Sequence, residues 1–177
     1  MVVLADFRKG AAMPKLLIVD DEPMTVEMLE TFLQISGFQT VGALSGEDGL
    51  TLLQAEQPEL LILDLMLPDI EGFEICRRIR TLPEYAALAN LPVLIISARV
   101  DSVSKQRARD AGADGYLTKP VRLQDLSNEL SRLLNKPRTP PDGDGGTLPS
   151  TPPAPAAPTA PIPPIPPTGD YSAAPLN

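Results

Sequence analysis

A doubly wound α/β domain, built as (βα)5 on a parallel five-stranded sheet, is the fold class that this 177-residue sequence predicts, on three observations. Short, almost uninterrupted apolar runs recur at Leu16–Val19, Leu60–Leu63 and Val93–Ile96, as strands buried on both faces of a parallel sheet require. Helical apolar spacing fills the intervals between them. Proline sets the limits: seven of the 21 prolines lie before residue 137 and the other fourteen crowd into 137–177. That leaves residues 14–136 as a body of ordinary single-domain size.

The elements follow in order. The run Leu16–Val19 is the first strand. Pro23 opens the first helix at the position where its missing N–H costs nothing, Val26, Leu29 and Leu33 share one face, and Gly37 ends it. A weaker second strand covers Phe38–Val41, followed by a helix over about Glu47–Glu56. The third strand, Leu60–Leu63, leads to a helix over Gly72–Arg80, and the fourth, Val93–Ile96, to one over Ser102–Ala111. A short fifth strand, Gly115–Leu117, and a helix over Leu123–Leu134 complete the alternation. The strand order expected for such a sheet is the flavodoxin-like 2-1-3-4-5.

Outside this body the composition changes. The tail of residues 137–177 has only Leu148, Ile162, Ile165, Tyr171 and Leu176 as sizeable apolar groups. It cannot bury enough surface to offset its ordering entropy, so it reads as a disordered, Pro-rich segment with polyproline-II character. Prolines 155, 158, 161, 164 and 167 recur every third residue without basic flanks, which suits a spacer better than a groove ligand. Residues 1–13 read as a loose N-terminal arm, with translation expected to start at Met13 rather than Met1. They hold no apolar stretch long enough for a signal-peptide core. No helix-turn-helix or other output domain is read after residue 136.

Composition removes several function classes. With no histidine, the chain lacks the base of Ser-His-Asp and Cys-His nucleophiles and offers no histidine ligand or phosphohistidine. Its single cysteine, Cys76, excludes internal disulfides and Cys-rich zinc sites and points to a reducing, cytoplasmic compartment. A formal net charge of −8 disfavours direct nucleic-acid binding, and no segment reads as a membrane span.

The acids carry the chemistry. Ligands of a doubly wound sheet bind beyond the carboxyl ends of its strands. Asp20 and Asp21 directly follow the first apolar run and Asp64 directly follows the third. In the expected order these strands are neighbours, so the three carboxylates converge. Like charges that close need a cation or raised pKa values, and a hard divalent ion such as Mg²⁺ resolves the conflict. Ser97 follows the fourth strand and Lys119 the fifth, adding a hydroxyl and a point charge for an anion. Carboxylates with a metal, a lysine and a hydroxyl suit phosphoryl transfer. No P-loop glycine motif supports a bound nucleoside triphosphate, which leaves an aspartate nucleophile. Taken singly, each acid reads as a turn or cap residue, Ser97 as an N-cap and Lys119 as surface charge; the functional reading rests on the set.

The set Asp20-Asp21, Asp64, Ser97 and Lys119-Pro120 resembles the receiver domain of bacterial two-component response regulators, over roughly residues 14–136. The resemblance implies that Asp64 is the phosphoacceptor. It implies that Asp20, Asp21, Asp64 and the backbone carbonyl of Met66 hold Mg²⁺, and that Lys119 contacts the phosphoryl group. Ser97 would turn toward that group, Tyr116 would change its burial in step, and the Lys119–Pro120 bond would be cis. The family usually has an aromatic after the Lys-Pro pair, where this chain has Val121. Ala98 is small, as access to the site requires. Met66 and Arg99 hold the positions that tune dephosphorylation. Neither can align a water as a base would, so a long-lived phospho-form is expected, against which a half-life of seconds would count.

The function expected is that of a phosphorylation-dependent switch, not an enzyme in the ordinary sense. It would take its phosphoryl group from a histidine kinase or phosphotransfer protein and signal to an unidentified protein effector, with a phosphorylation-dependent dimer as a further candidate. The alternatives are a pseudo-receiver that only binds partners and an aspartate-nucleophile phosphohydrolase of the haloacid-dehalogenase type. The latter wants a second acid two residues after its nucleophile, where this chain has Met66. The remaining candidates read as structural: Asp69 and Glu71 in the loop that opens the third helix, Cys76 as inert packing, and Arg77, Arg78 and Arg80 as a solvated helix face.

Overall fold

Strand residues point alternately to the two faces of a sheet, and here both faces are apolar. The computed structural model describes residues 13–135. Strands β1 (Lys15–Val19), β2 (Gln39–Ala43), β3 (Leu60–Asp64), β4 (Val93–Ser97) and β5 (Gly115–Thr118) alternate with helices α1 (Pro23–Ile35), α2 (Gly46–Glu56), α3 (Gly72–Thr81), α4 (Ser102–Asp110) and α5 (Leu123–Leu134). The strands are all parallel, in the order β2-β1-β3-β4-β5. The fold class read from the sequence is the one observed.

Leu16 and Ile18, Leu60 and Ile62, and Leu94 and Ile96 face one way and pack with Val26, Leu29 and Leu33 of α1 and Leu126, Leu130 and Leu133 of α5. The intervening residues Leu17, Val19, Leu61, Leu63, Val93 and Ile95 face the other way, onto Leu53 of α2, Phe73 and Ile79 of α3 and Ala108 of α4. Truncating any one of these buried leucines to alanine costs about 2–5 kcal/mol. Burial falls off at the sheet edges. All four residues of β5 are half-buried, and β2 reaches full burial only at Ala43, which is why these two strands carry the weaker apolar runs.

Element ends follow local chemistry. Pro23 stands at the start of α1, and Gly37 takes φ +90° just beyond its end, a backbone region that glycine enters freely. The Ser45 hydroxyl caps α2 by accepting from Asp48 N at 3.2 Å, and the Asp101 carboxylate caps α4 by accepting from Ser104 N at 2.7 Å. A 3-10 turn at Pro83–Leu88, which periodicity did not disclose, leads into β4.

One expectation is corrected here. The arginines of α3 are not uniformly solvated. Arg77 and Arg78 pair with Glu74 on the surface, but Arg80 turns inward. Its guanidinium donates to the carbonyls of Gly112 (3.0 Å) and Ala89 (2.9 Å) and to Asp114 Oδ2 (2.9 Å). Five donors in a rigid fork let one arginine satisfy carbonyls that two loops would otherwise leave open. Cys76 is fully buried, and burial pushes its thiol up to about 11, in keeping with packing rather than reactivity. Residues 1–12 of the expected arm and the tail of residues 137–177 lie outside the described residues. Among the described residues, no helix is long and apolar enough to cross a membrane.

Candidate functional site

Parallel strands bring all their carboxyl ends to one edge, and the register fixes which ends meet. Val19 pairs with Leu63, Asp64 with Ile96, and Ser97 with Thr118. Asp20, the last residue of β3, the last residue of β4 and Lys119 therefore line up along that edge. Asp20 and Asp64 are buried (2% and 5% exposed), Ser97 is fully buried, and Asp21 is exposed at the rim. Carboxylate oxygens of Asp20, Asp21 and Asp64 lie within 4.8 Å of one another.

Lys119 closes the group. Its ammonium sits 2.8 Å from Asp20 Oδ2 and 2.9 Å from Asp64 Oδ2. The second oxygens are engaged by the backbone: Glu22 N donates to Asp20 Oδ1 at 3.0 Å, and Leu65 N to Asp64 Oδ1 at 2.6 Å. Burial raises the Asp20 carboxyl above its ordinary 3.8, although the bonds from Lys119 and Glu22 N work against the rise. Burial alone would lower Lys119, but its hydrogen bonds to Asp20 and Asp64 outweigh that and hold the ammonium above its ordinary 10.5. Three carboxylates against one ammonium leave an excess of two negative charges. All the donors are hard oxygens, so this set fits a hard divalent cation.

The β4–α4 loop meets this group from the side. Ser97 Oγ accepts from Arg99 N at 3.3 Å, and the Ser97 carbonyl accepts from Lys119 N at 2.9 Å. The Tyr116 hydroxyl donates to the Arg99 carbonyl at 2.7 Å. Burial raises its phenol above the ordinary value, opposed by a hydrogen bond with Ser97. Met66 and Ala98 are exposed, and the Lys119–Pro120 bond is cis. Arg99 is drawn aside to Glu71 Oε1, at 3.6 Å.

Three features of the loop after Asp64 escaped sequence reasoning. A side chain on Gly72 would collide with the backbone oxygen of Asp64, so the chain can return past the site only with glycine there. Asp69 lies in the loop before α3, as expected, but serves a different helix. Its carboxylate accepts from Gly46 N and Glu47 N, both at 2.8 Å, at the start of α2. Desolvation is the largest single influence and raises its carboxyl, but the N–H groups of Glu47 and Gly46, joined by those of Ile70 and Asp69 itself, together hold it below the ordinary 3.8. Glu71 stands at the N-cap of α3 without capping it. Its two oxygens instead reach Arg99 and Arg107, and the Arg107 guanidinium lies 4.4 Å from the centre of the Phe73 ring. A Gly at 72 is visible in the sequence, but nothing local marks partners 22 to 36 residues away.

Known proteins are similar to this chain in sequence and in fold. The family model of the response regulator receiver domain matches residues 16–131. The transcriptional regulatory protein AfsQ1 of Streptomyces coelicolor is 39% identical over 124 residues, 70% of this chain and 52% of that protein. RpaA of Synechocystis, named as a DNA-binding dual master transcriptional regulator, is 36% identical over 124 residues, 70% of this chain and 50% of its own length. The chain thus spans about half the length of these relatives. Among solved structures, the Vibrio cholerae chemotaxis protein CheY4 superposes with a TM-score of 0.64 at 30% identity, covering 70% of this chain and all of that one. Matched over most of its described length, this chain belongs to the response regulator receiver domain family of two-component signalling.

Proposed function

We propose that this chain is a phosphorylation-dependent switch whose Asp64 accepts a phosphoryl group from a histidine kinase or phosphotransfer protein. One observation carries the reading: a lysine ammonium bridges two buried carboxylates at 2.8 and 2.9 Å inside a three-carboxylate group. Such a group has little structural purpose at a strand edge, because desolvated like charges cost stability unless something uses them. Asp20, Asp21, Asp64 and the Met66 carbonyl would hold Mg²⁺, which supplies charge neutralisation for the transferring phosphoryl group.

An Asp64 oxygen attacks phosphorus in line, the acyl-phosphate O–P bond forms as the donor's N–P bond breaks, and the departing imidazole takes up a proton. Lys119 is placed to exchange its contact with Asp64 for one with the incoming phosphoryl oxygens. Ser97 lies within the same edge, and its hydroxyl turns toward the new phosphate. Tyr116 bonds to the Arg99 carbonyl, so displacement of the Ser97–Arg99 loop moves the acceptor that holds the phenol. The modification is thereby passed to the face formed by α4, β5 and α5, where a protein effector or a second copy reads it.

Exposed Met66 and Ala98, and an Arg99 held by Glu71, supply no side chain to align a hydrolytic water, which supports a long-lived phospho-form. The net charge of −8 supports readout by protein contact rather than by nucleic acid, and the single cysteine suits a reducing, cytoplasmic setting. The test is phosphate incorporation from acetyl phosphate with Mg²⁺, followed by intact mass. Wild type gains one phosphate, and Asp64→Asn gains none. Incorporation at the wild-type rate in the variant overturns the assignment.

A further inference from the structure

We infer that Asp69 is a positioning residue for the phosphoryl site, clamping the loop after Asp64 to the start of α2 so that the loop's carbonyls are held for the metal. The inference rests on the reading of Asp64 as phosphoacceptor and deepens it.

The clamp spans segments far apart in the sequence. Each Asp69 oxygen takes one backbone donor, Oδ1 from Gly46 N and Oδ2 from Glu47 N, at 2.8 Å. The approach is close because residue 46 is glycine: a Cβ there would stand 3.1 Å from Asp69 Oδ1 and 3.1 Å from Ile70 Cβ. A helix N-terminus normally takes its acceptor from its own N-cap. Here Ser45 already does so, accepting from Asp48 N. The local cap satisfies one free N–H, and Asp69 satisfies two others from the neighbouring loop. Ionised acceptors on backbone donors make the stronger hydrogen bonds.

The loop needs such an anchor. Between Asp64, tied down by β3 and by Lys119, and Gly72, wedged against the Asp64 carbonyl, run Met66 and Pro68, both exposed. Among the described residues, two side chains in this stretch bond to other elements: Glu71, beside Gly72, accepts from Arg107 of α4 at 3.4 Å, and Asp69, nearer to Met66, accepts from the start of α2. The Met66 carbonyl, expected to face the metal, lies three residues before Asp69. Losing the clamp frees that carbonyl while leaving Asp20, Asp21 and Asp64 in place. Metal affinity then falls through positioning, not through loss of a ligand.

The test uses the full chain, with Mg²⁺ alone titrated calorimetrically and acetyl phosphate incorporation measured across Mg²⁺ concentrations. Asp69→Ala is expected to weaken Mg²⁺ on the order of ten-fold, raising the half-saturating concentration while leaving the plateau rate near wild type. Asp69→Asn keeps one acceptor oxygen and is expected to fall between. Ser45→Ala removes the local cap of the same helix, and Glu47→Gln removes a carboxylate on the same flank; neither should move the Mg²⁺ midpoint. Unchanged Mg²⁺ binding in Asp69→Ala overturns the inference. So does a loss reproduced by Ser45→Ala, which would mean helix stability, or by Glu47→Gln, which would mean long-range charge. A variant that melts below the assay temperature is replaced by Asp69→Asn, whose intermediate midpoint decides alone. If wild type itself takes up no phosphate at Asp64, the phosphoacceptor reading fails, and that is a separate result.

Discussion

Two groups of charge bridge neighbouring segments along the same edge of the sheet, and they differ in depth. In the inner group, Lys119 joins Asp20 and Asp64 at 2.8 and 2.9 Å, with side-chain exposures of 22%, 3% and 6%. In the outer group, Glu71 joins Arg99 and Arg107 at 3.6 and 3.4 Å, with exposures of 44%, 37% and 50%. Both are three-membered, and both join segments that are far apart in the sequence. The difference in depth changes what the charges do. Water screens the outer group, so its members move at little cost. The inner group is desolvated, so an unbalanced charge there must be answered by a partner, a proton or a metal.

The largest expected effect is the removal of the inner cation. Lys119→Met leaves two buried carboxylates and a third at the rim within 4.8 Å of one another. Deleting one partner of a buried pair costs 3–5 kcal/mol, and the part of the ammonium that faces water brings this to about 2–3 kcal/mol in Mg²⁺-free buffer. Chemical denaturation in chelator measures it. Added Mg²⁺ should restore more stability to the variant than it gives to wild type, because it replaces the missing positive charge. A loss within about 0.5 kcal/mol, the range of ordinary surface changes, would erase the distinction between the two groups.

Alkaline pH probes the same ammonium without a mutation. Lys119 is raised above its ordinary 10.5 in the folded chain. Its stabilisation is therefore complete below that ordinary value and is lost as pH climbs through the raised one. Asp20, also raised, acts in a separate window: its burial costs stability once pH passes upward from its ordinary 3.8. The difference between wild type and Lys119→Met, followed by denaturation from neutral to strongly alkaline pH, should shrink above about pH 10.5. A gap that stays constant through that range would show that the missing ammonium is not what separates the two proteins.

Depth also explains what could be read from the sequence. Asp20, Asp64, Ser97 and Lys119 were legible because each ends an apolar run, and parallel strands bring such ends to one edge. The two sheet faces were legible for the same reason, since runs such as Leu16–Val19 have no polar residue to point at water. β2 and β5 were weaker because edge strands are half-buried, and their Thr and Gly residues tolerate that. Asp69 and Glu71 were placed in the right loop, but their partners were not legible, and Arg80 was misread, because those partners belong to other segments. Asp69 resembles any loop acid before a helix, and only the approach of Gly46 turns it into a cap for α2. Arg80 follows two solvated arginines with the same local pattern. Its inward turn depends on open carbonyls at Ala89 and Gly112, which sequence spacing does not reveal.

The smallest expected effect sharpens the comparison from the outer side. Glu71→Gln removes both outer ion pairs at once and should cost at most about 1 kcal/mol, because exposed pairs at these distances gain little over their hydration. That cost should shrink further as ionic strength rises and the charges are screened. Arg107 does not depend on Glu71 for its place: its guanidinium stacks 4.4 Å from the centre of the Phe73 ring, a contact that Glu71→Gln leaves intact. A double-mutant cycle of Glu71→Gln with Arg107→Ala isolates the pair, and its coupling should fall below about 1 kcal/mol and decline with added salt. Arg107→Ala alone should cost more than the coupling, since it also strips cover from Phe73. A coupling of 2 kcal/mol or more, insensitive to salt, would place Glu71 and Arg107 in the same desolvated class as Lys119 and its two aspartates. The β4–α4 loop would then be pinned from outside as firmly as the inner carboxylate group is from within, and Ser97 and Arg99 could not shift without breaking that pin.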